Sequence, residues 1–181
     1  NASPIITGSV VRNNNNNGIY LDSSAVATIS GNTISGNGEY AIYVDDGAIN
    51  STASISGNTI SGNVYDGIRL IGGVLSVPAT WVPDAPYVIG YSVTVAAGAT
   101  LIIQPGVVVK FPANSRLSIN GTLTADGTPE QPIVFTSLKD DTHAGDTNGD
   151  GNATSPAPED WSCLSFSSTS TNSLLDNVIV R

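Results

Sequence analysis

The chain has 181 residues, 40% of them hydrophobic, so it is long enough to bury a core, while only 12% are charged and 6% aromatic. Its formal charge is −9, and the six Lys plus Arg are scattered at Arg12, Arg69, Lys110, Arg116, Lys139 and Arg181, which leaves no basic stripe to neutralise phosphates and excludes a nucleic-acid partner. Abundant Gly, Asn, Ser and Thr disfavour helices and supply turns and short strands, so the composition points to an all-β repeat.

Residues 1–77 carry the clearest pattern. ISGNTISGN occurs at Ile29 to Asn37 and again at Ile55 to Asn63, a shift of 26 positions. A diverged copy precedes them at an offset of 23: Ile6, Val11, Ile19 and Leu21 align with Ile29, Ile34, Ile42 and Val44, and with Ile55, Ile60, Ile68 and Leu70. Each copy reads as one coil whose aligned apolar residues point inward and are buried when coils stack. Gly31, Gly36, Asn37 and their copies are expected at left-handed corners, and stacked Asn side chains are expected to bond along the ladder. The extra residues of the second coil fall in Asp45 to Asn50, which reads as a surface loop.

From 78 to 181 the texture becomes short β-branched runs punctuated by Gly and Pro. Pro86 to Val109 is uncharged, yet it alternates apolar with polar residues and contains Pro105, so it reads as strands and not as a membrane span. Val93, Val95, Leu101, Ile103, Val107, Val109, Phe111, Leu117, Ile119, Leu123, Ile133 and Phe135 follow period two within their runs. These are further coils, continuous with the first set or forming a second unit.

Within 139–160, Asp146, Asn148, Asp150 and Asn152 have the oxygen spacing of a calcium loop, with Gly151 at the sharp turn. Ala157 stands where an EF-hand needs its bidentate acid, so Glu159 or Asp160 is expected to close the shell, with Asp140 and Asp141 at the start of the loop. A structural Ca2+ is the expectation; a solvated acidic turn held by Asx bonds is the alternative. His143, the only histidine, reads as a solvated loop residue without a nucleophile beside it.

The strings GATLIIQPGVVVKF, GTLTADGTPEQPIVFTSLKDD, GDTNGDGNATSPAPEDWSCLSF and LLDNVIV resemble the opening turns of secreted bacterial and archaeal proteins with right-handed parallel β-helix repeats, the pectate-lyase-like superfold. The ISGNTISGN coils resemble middle or late rungs of the same superfamily. The resemblance implies an all-β right-handed parallel β-helix, here with coils of about 23–26 residues and an inserted acidic loop. It does not imply one function, since the superfamily holds lyases, adhesins, tailspikes and surface-layer modules. Lyases of this fold need an Arg or Lys beside acidic calcium ligands. Arg69, Lys110 and Arg116 lie in separate runs without acidic companions at coil-spaced positions, Asp45 and Asp46 form a lone pair, and the six tyrosines are dispersed, so no catalytic residue is assigned.

Cys163 stands where the resembled proteins carry Gly; it is either a buried inert thiol or the source of an intermolecular disulfide. A single cysteine, and Asn-x-Ser/Thr acceptors at Asn1, Asn50, Asn120 and Asn152, fit an extracellular setting. The lack of Met and of a leader-like start fits a processed or excised chain. LLDNVIVR at Leu174 to Arg181 matches IITGSVVR at Ile5 to Arg12 in character, so the terminal coils are expected to complete those of a neighbouring copy. The resulting expectation is a non-enzymatic structural module stacking head to tail into a filament or surface layer. The alternative is part of a cell-surface carbohydrate-binding or polysaccharide-degrading protein or adhesin, with surface glycans as its partners.

Overall fold

The computed structural model describes residues 2–22 and 25–181, so the acceptor at Asn1 lies outside the described residues. All strand pairings are parallel. One seven-stranded sheet runs the length of the molecule through Ile19–Leu21, Tyr40–Val44, Tyr65–Leu70, Tyr87–Ile89, Val108–Phe111, Ile133–Ser137 and Val178–Val180. Two three-stranded sheets flank its first half: Ile5–Thr7, Thr28–Ser30 and Ile55–Ser56, then Val10–Arg12, Thr33–Ser35 and Thr59–Ser61. Two four-stranded sheets flank its second half: Gly73–Leu75, Ser92–Val95, Arg116–Ile119 and Cys163–Phe166, then Ala79–Trp81, Thr100–Ile103, Thr122–Asp126 and Leu174–Asp176.

The repeat offsets are the strand registers. Ile6 pairs with Ile29 and Ile29 with Ile55; Val11 pairs with Ile34 and Ile34 with Ile60; Ile19 pairs with Ile42 and Ile42 with Ile68. The second half continues the pattern, with Tyr87 on Val109 and Val109 on Phe135, and with Val93 on Leu117. Most of these inward residues are buried and form one continuous core, against which the half-buried Ile6, Val11 and Ile60 pack. Burying each such side chain is worth about 1.5–3 kcal/mol, which no isolated coil could collect. Trp81 and Tyr87 stack at 4.5 Å inside that core.

Gly31 and Gly36 take φ of +65°, as the corners require. Asn37 instead belongs to a side-chain ladder. Asn14 N and Nδ2 donate to Asn37 Oδ1, and Asn37 N and Nδ2 donate to Asn63 Oδ1. A parallel ladder runs from Ser9 N to Asn32 Oδ1, and from Asn32 N and Nδ2 to Asn58 Oδ1. Each ladder ends on a carboxylate: Asn63 N and Nδ2 donate to Asp66 Oδ1 at 2.8 Å, and Asn58 N and Nδ2 donate to Asp84 Oδ2 at 2.7 and 3.1 Å. An amide relays because it both gives and accepts; a carboxylate only accepts and so terminates the run.

The terminators mark a change of cross-section. The residues expected as a surface loop belong to a 3-10 helix, Asp46–Ser54, whose Ala48, Ile49, Ser51 and Thr52 are buried. The helix is buried because the next coil lies against it: Asn50 Oδ1 accepts from Ser76 N at 2.9 Å, and Gly73 approaches the Asp46 carbonyl so closely that a Cβ there would sit 2.3 Å from it. The switch also limits the likeness of the two ends. Val178–Val180 joins the long sheet, whereas Val10–Arg12 belongs to a flanking sheet. Asp84→Ala removes the acceptor of three donors, Gly57 N, Asn58 N and Asn58 Nδ2. It should cost about 1–3 kcal/mol in urea denaturation; a loss within error would mean that water replaces the carboxylate.

Candidate functional site

Outward residues of the long sheet also stack in register. One column runs Tyr20, Tyr43, Arg69, Val88, Lys110 and Thr136. Val88, Lys110 and Thr136 are fully buried although they point away from the core. The insertion between Ser137 and Cys163 folds back over this face: Lys110 Nζ donates to Gly145 O at 2.6 Å, and Thr136 Oγ1 donates to Asp140 Oδ2 at 2.7 Å. Its root is clasped by Asp160, which accepts from Lys139 Nζ at 2.6 Å, Ser137 Oγ at 2.8 Å and Ala157 N at 2.8 Å. Its tip reaches Tyr65, where a Cβ on Gly149 would sit 2.7 Å from Cε1.

The insertion gathers three carboxylates. Asp141, Asp146 and Asp150 each bring an oxygen within 4.8 Å of the others. Backbone N–H groups shape the trio: Asp146 accepts from Gly151 N at 2.8 Å and Gly149 N at 2.6 Å, which hold its carboxyl below the usual range. The Thr154 hydroxyl does the same for Asp150. Asp141 behaves oppositely, because burial and the neighbouring Asp146 charge push its carboxyl up. Its Oδ1 is buried without a hydrogen-bond partner, as is Thr147 Oγ1. A crowded all-oxygen donor set with an orphaned carboxylate oxygen fits a hard cation of the Ca2+ type.

The sequence-predicted ligands separate into two groups. Asp146 and Asp150 are brought together, and Asn148 lies between them, its Nδ2 donating to Asp150 Oδ2 at 2.8 Å. Asn152 is exposed, and among the described residues its side chain makes no hydrogen bond. Glu159 is exposed beside Trp161, and Asp160 is committed to Lys139, so neither reaches the trio. Asp141 takes the place expected of them.

Four of the six tyrosines, expected to be dispersed, converge beside the insertion. Tyr20 stacks on Tyr43 at 5.1 Å, Tyr40 packs on Tyr65 at 4.8 Å, and the Arg69 guanidinium lies 5.6 Å from the Tyr40 ring centre. Glu39, Tyr40, Tyr43, Tyr65, Arg69 and Asn148 are among the residues lining a groove of about 360 Å³. Among the described residues Arg69 forms no ion pair.

Comparison with known proteins finds two β-helix family models along the chain. The family model "Right handed beta helix region" matches residues 1–76, and "Pectate-lyase like beta helix domain" matches residues 73–153. The chain is a right-handed parallel β-helix. A stretch of 54 residues is 43% identical to "Protein bark beetle" of Drosophila melanogaster, covering 30% of this chain and 2% of that protein. No solved structure matches the chain.

Lys110 gains acidic companions that no coil spacing announces, since the insertion lays Asp141, Asp140 and Asp146 around it; burial pulls its ammonium below the ordinary range against their opposing charges. Two further expectations about this β-helix need correction. His143 is not merely solvated: its Nδ1 lies 3.0 Å from the buried Asp140. Burial pushes the Asp140 carboxyl up, but Thr142, Thr136 and His143 outweigh it and hold it at about 2. Cys163 is exposed, because in Cys163–Phe166 it is Leu164 that packs against the core. Among the described residues no helix is long and apolar enough to cross a membrane.

The tyrosines were findable, since Tyr20 and Tyr43 are 23 positions apart and Tyr43 and Arg69 are 26 apart, the offsets of the apolar columns. Asp141 had no such signal. Gly149→Val would push a side chain into Tyr65 at a φ of +73°. It should raise hydrogen exchange across 138–160 while leaving the core strands protected; unchanged exchange would mean that the tip does not depend on this contact.

Proposed function

We propose that this β-helix is a non-catalytic structural module of an extracellular protein that continues end to end into further coils, including those of neighbouring copies, with Ca2+ stiffening the insertion over the long sheet. The observation that carries the reading is the unbroken stacking of coils: inward residues pair in register, Ile6 on Ile29 on Ile55 and Tyr87 on Val109 on Phe135, and one seven-stranded sheet runs through the stack. A solenoid of this kind grows by pairing one more parallel strand to each sheet. Lys110, beside the carboxylates, is buried and bonded to Gly145 O, which withdraws it as a base and supports a non-catalytic role.

Seven strands at about 4.8 Å spacing make a rod of about 34 Å. Negative-stain images of the purified chain should show rods that lengthen with concentration, and Val180→Asp should shorten them. Monodisperse particles about 34 Å long at every concentration would overturn the stacking. For the cation, titration calorimetry should detect Ca2+ binding that is weakened at least tenfold in Asp141→Asn. Binding stabilises the folded state by mass action, so an unchanged melting temperature in millimolar Ca2+ would count against a site.

A second reading rests on the tyrosine groove. Phenol hydroxyls, the Arg69 guanidinium and the Glu39 carboxylate suit a hydroxyl-rich ligand such as a saccharide. Saturation-transfer NMR with oligosaccharides should show contacts that vanish in Arg69→Ala and Tyr43→Ala. No transfer from any neutral or acidic oligosaccharide would remove this reading.

A further inference from the structure

We propose that Asn152 is a site of N-linked glycosylation, and that among the described residues it is the Asn-x-Ser/Thr acceptor that the folded β-helix presents. The three described acceptors have different surroundings. Asn50 uses both ends of its carboxamide, Nδ2 donating to Ser76 Oγ at 3.2 Å and Oδ1 accepting from Ser76 N at 2.9 Å. This pair joins the 3-10 helix to the coil stacked against it, so a sugar on Nδ2 would wedge the two apart.

Asn120 sits at a tight corner beneath the following coil. Its carbonyl accepts from Thr169 Oγ1 at 2.8 Å, and the hydroxyl of its own acceptor triplet, Thr122 Oγ1, donates to Thr171 O at 3.0 Å. The adjoining Gly121 lies so near the preceding coil that a Cβ would stand 2.2 Å from Ala99 O. Asn120 is only partly exposed, and the bonds from Thr169 and to Thr171 tie its triplet to the following coil.

At Asn152 only the triplet's hydroxyl is engaged: Thr154 Oγ1 donates to Asp150 Oδ2 and accepts from Asn148 Nδ2 at 3.2 Å, within the exposed loop and not across a coil boundary. Asn152 stands in a run of exposed residues, from Gly151 to Glu159, on the outer part of the insertion. Its φ of +75° carries it past the turn formed by Gly149 and Gly151. Among the described residues its carboxamide has no hydrogen bond, ion pair or ring contact, and Ala153 beside it is also exposed. Modification there leaves the carboxylates of Asp141, Asp146 and Asp150 untouched, so it is compatible with a cation in the same loop without requiring one.

The co-reactant is a lipid-pyrophosphate-linked oligosaccharide. Asn152 Nδ2 forms a bond to the sugar C1 while the bond from C1 to the pyrophosphate oxygen breaks. The lipid pyrophosphate leaves with that electron pair, and the amide proton passes to a base of the transferase. The product is a neutral glycosylamide, bulky and strongly hydrated, at the edge of the groove-facing insertion.

The test is secretion of the chain from a eukaryotic host, followed by intact mass and glycopeptide mapping with and without amidase treatment. The wild type should carry a glycan at Asn152. The glycan should be lost in Asn152→Gln and in Thr154→Val, and kept in Thr154→Ser, Asn50→Gln and Asn120→Gln. A wild-type chain secreted without a glycan at Asn152, or an Asn152→Gln chain with undiminished glycan mass, overturns the assignment. Circular dichroism of Asn152→Gln should match the wild type, which separates loss of the acceptor from loss of the fold.

Discussion

Parallel strands set one coil directly over the next, with like residue on like residue about 4.8 Å apart. Whatever a coil points inward, its neighbours must match in size and polarity. Ile29 between Ile6 and Ile55, and Val109 between Tyr87 and Phe135, meet that demand. The same geometry operates on the outside, where no core enforces it. Tyr43 sits between Tyr20 and Arg69, and Lys110 between Val88 and Thr136, because the inward columns have already fixed the register. Core and outer surface are thus two faces of one constraint, and a slip of one residue would exchange them.

That constraint explains how far the sequence could be read. The inward columns repeat within an apolar alphabet, so offsets of 23 and 26 disclosed both the coil and its register. The tyrosine cluster obeys the same offsets but is heterogeneous, tyrosine over tyrosine over arginine, and is visible only after the register is applied to outward positions. The 3-10 helix Asp46–Ser54 is buried by a coil that arrives more than twenty residues later, which no local pattern announces. Asp141 and Asp150 are neighbours because a 25-residue insertion folds back on the sheet, and Asp160 is absent from the trio because Lys139 holds it at the root. Local spacing identified the oxygen-rich turn; tertiary folding chose its third carboxylate.

Charge is distributed unevenly along the solenoid. The molecule carries a formal charge of −9, and the insertion concentrates acids over a face whose one buried cation is Lys110. That ammonium, bonded to Gly145 O, lies too deep to act on a ligand but close enough to temper the repulsion among Asp140, Asp141 and Asp146. Arg69 is placed differently, partly exposed over Tyr40 at the open end of the same column. The insertion thereby divides one sheet face into a covered acidic part and an open aromatic part.

The asparagine ladders have a direction: the Oδ1 atoms of Asn32 and Asn37 accept from the coil before, and their Nδ2 groups donate to an Oδ1 of the coil after, with a second Nδ2 bond returning to a carbonyl of the coil before. Asp66 and Asp84 act as full stops in that sentence. A tandem duplication of the 26-residue unit ahead of them would lengthen both relays and leave the stops in place, whereas beyond them there is no relay to extend. The seam at which the cross-section changes is therefore also where the relay stops, so an added 26-residue unit fits ahead of it without breaking either asparagine ladder.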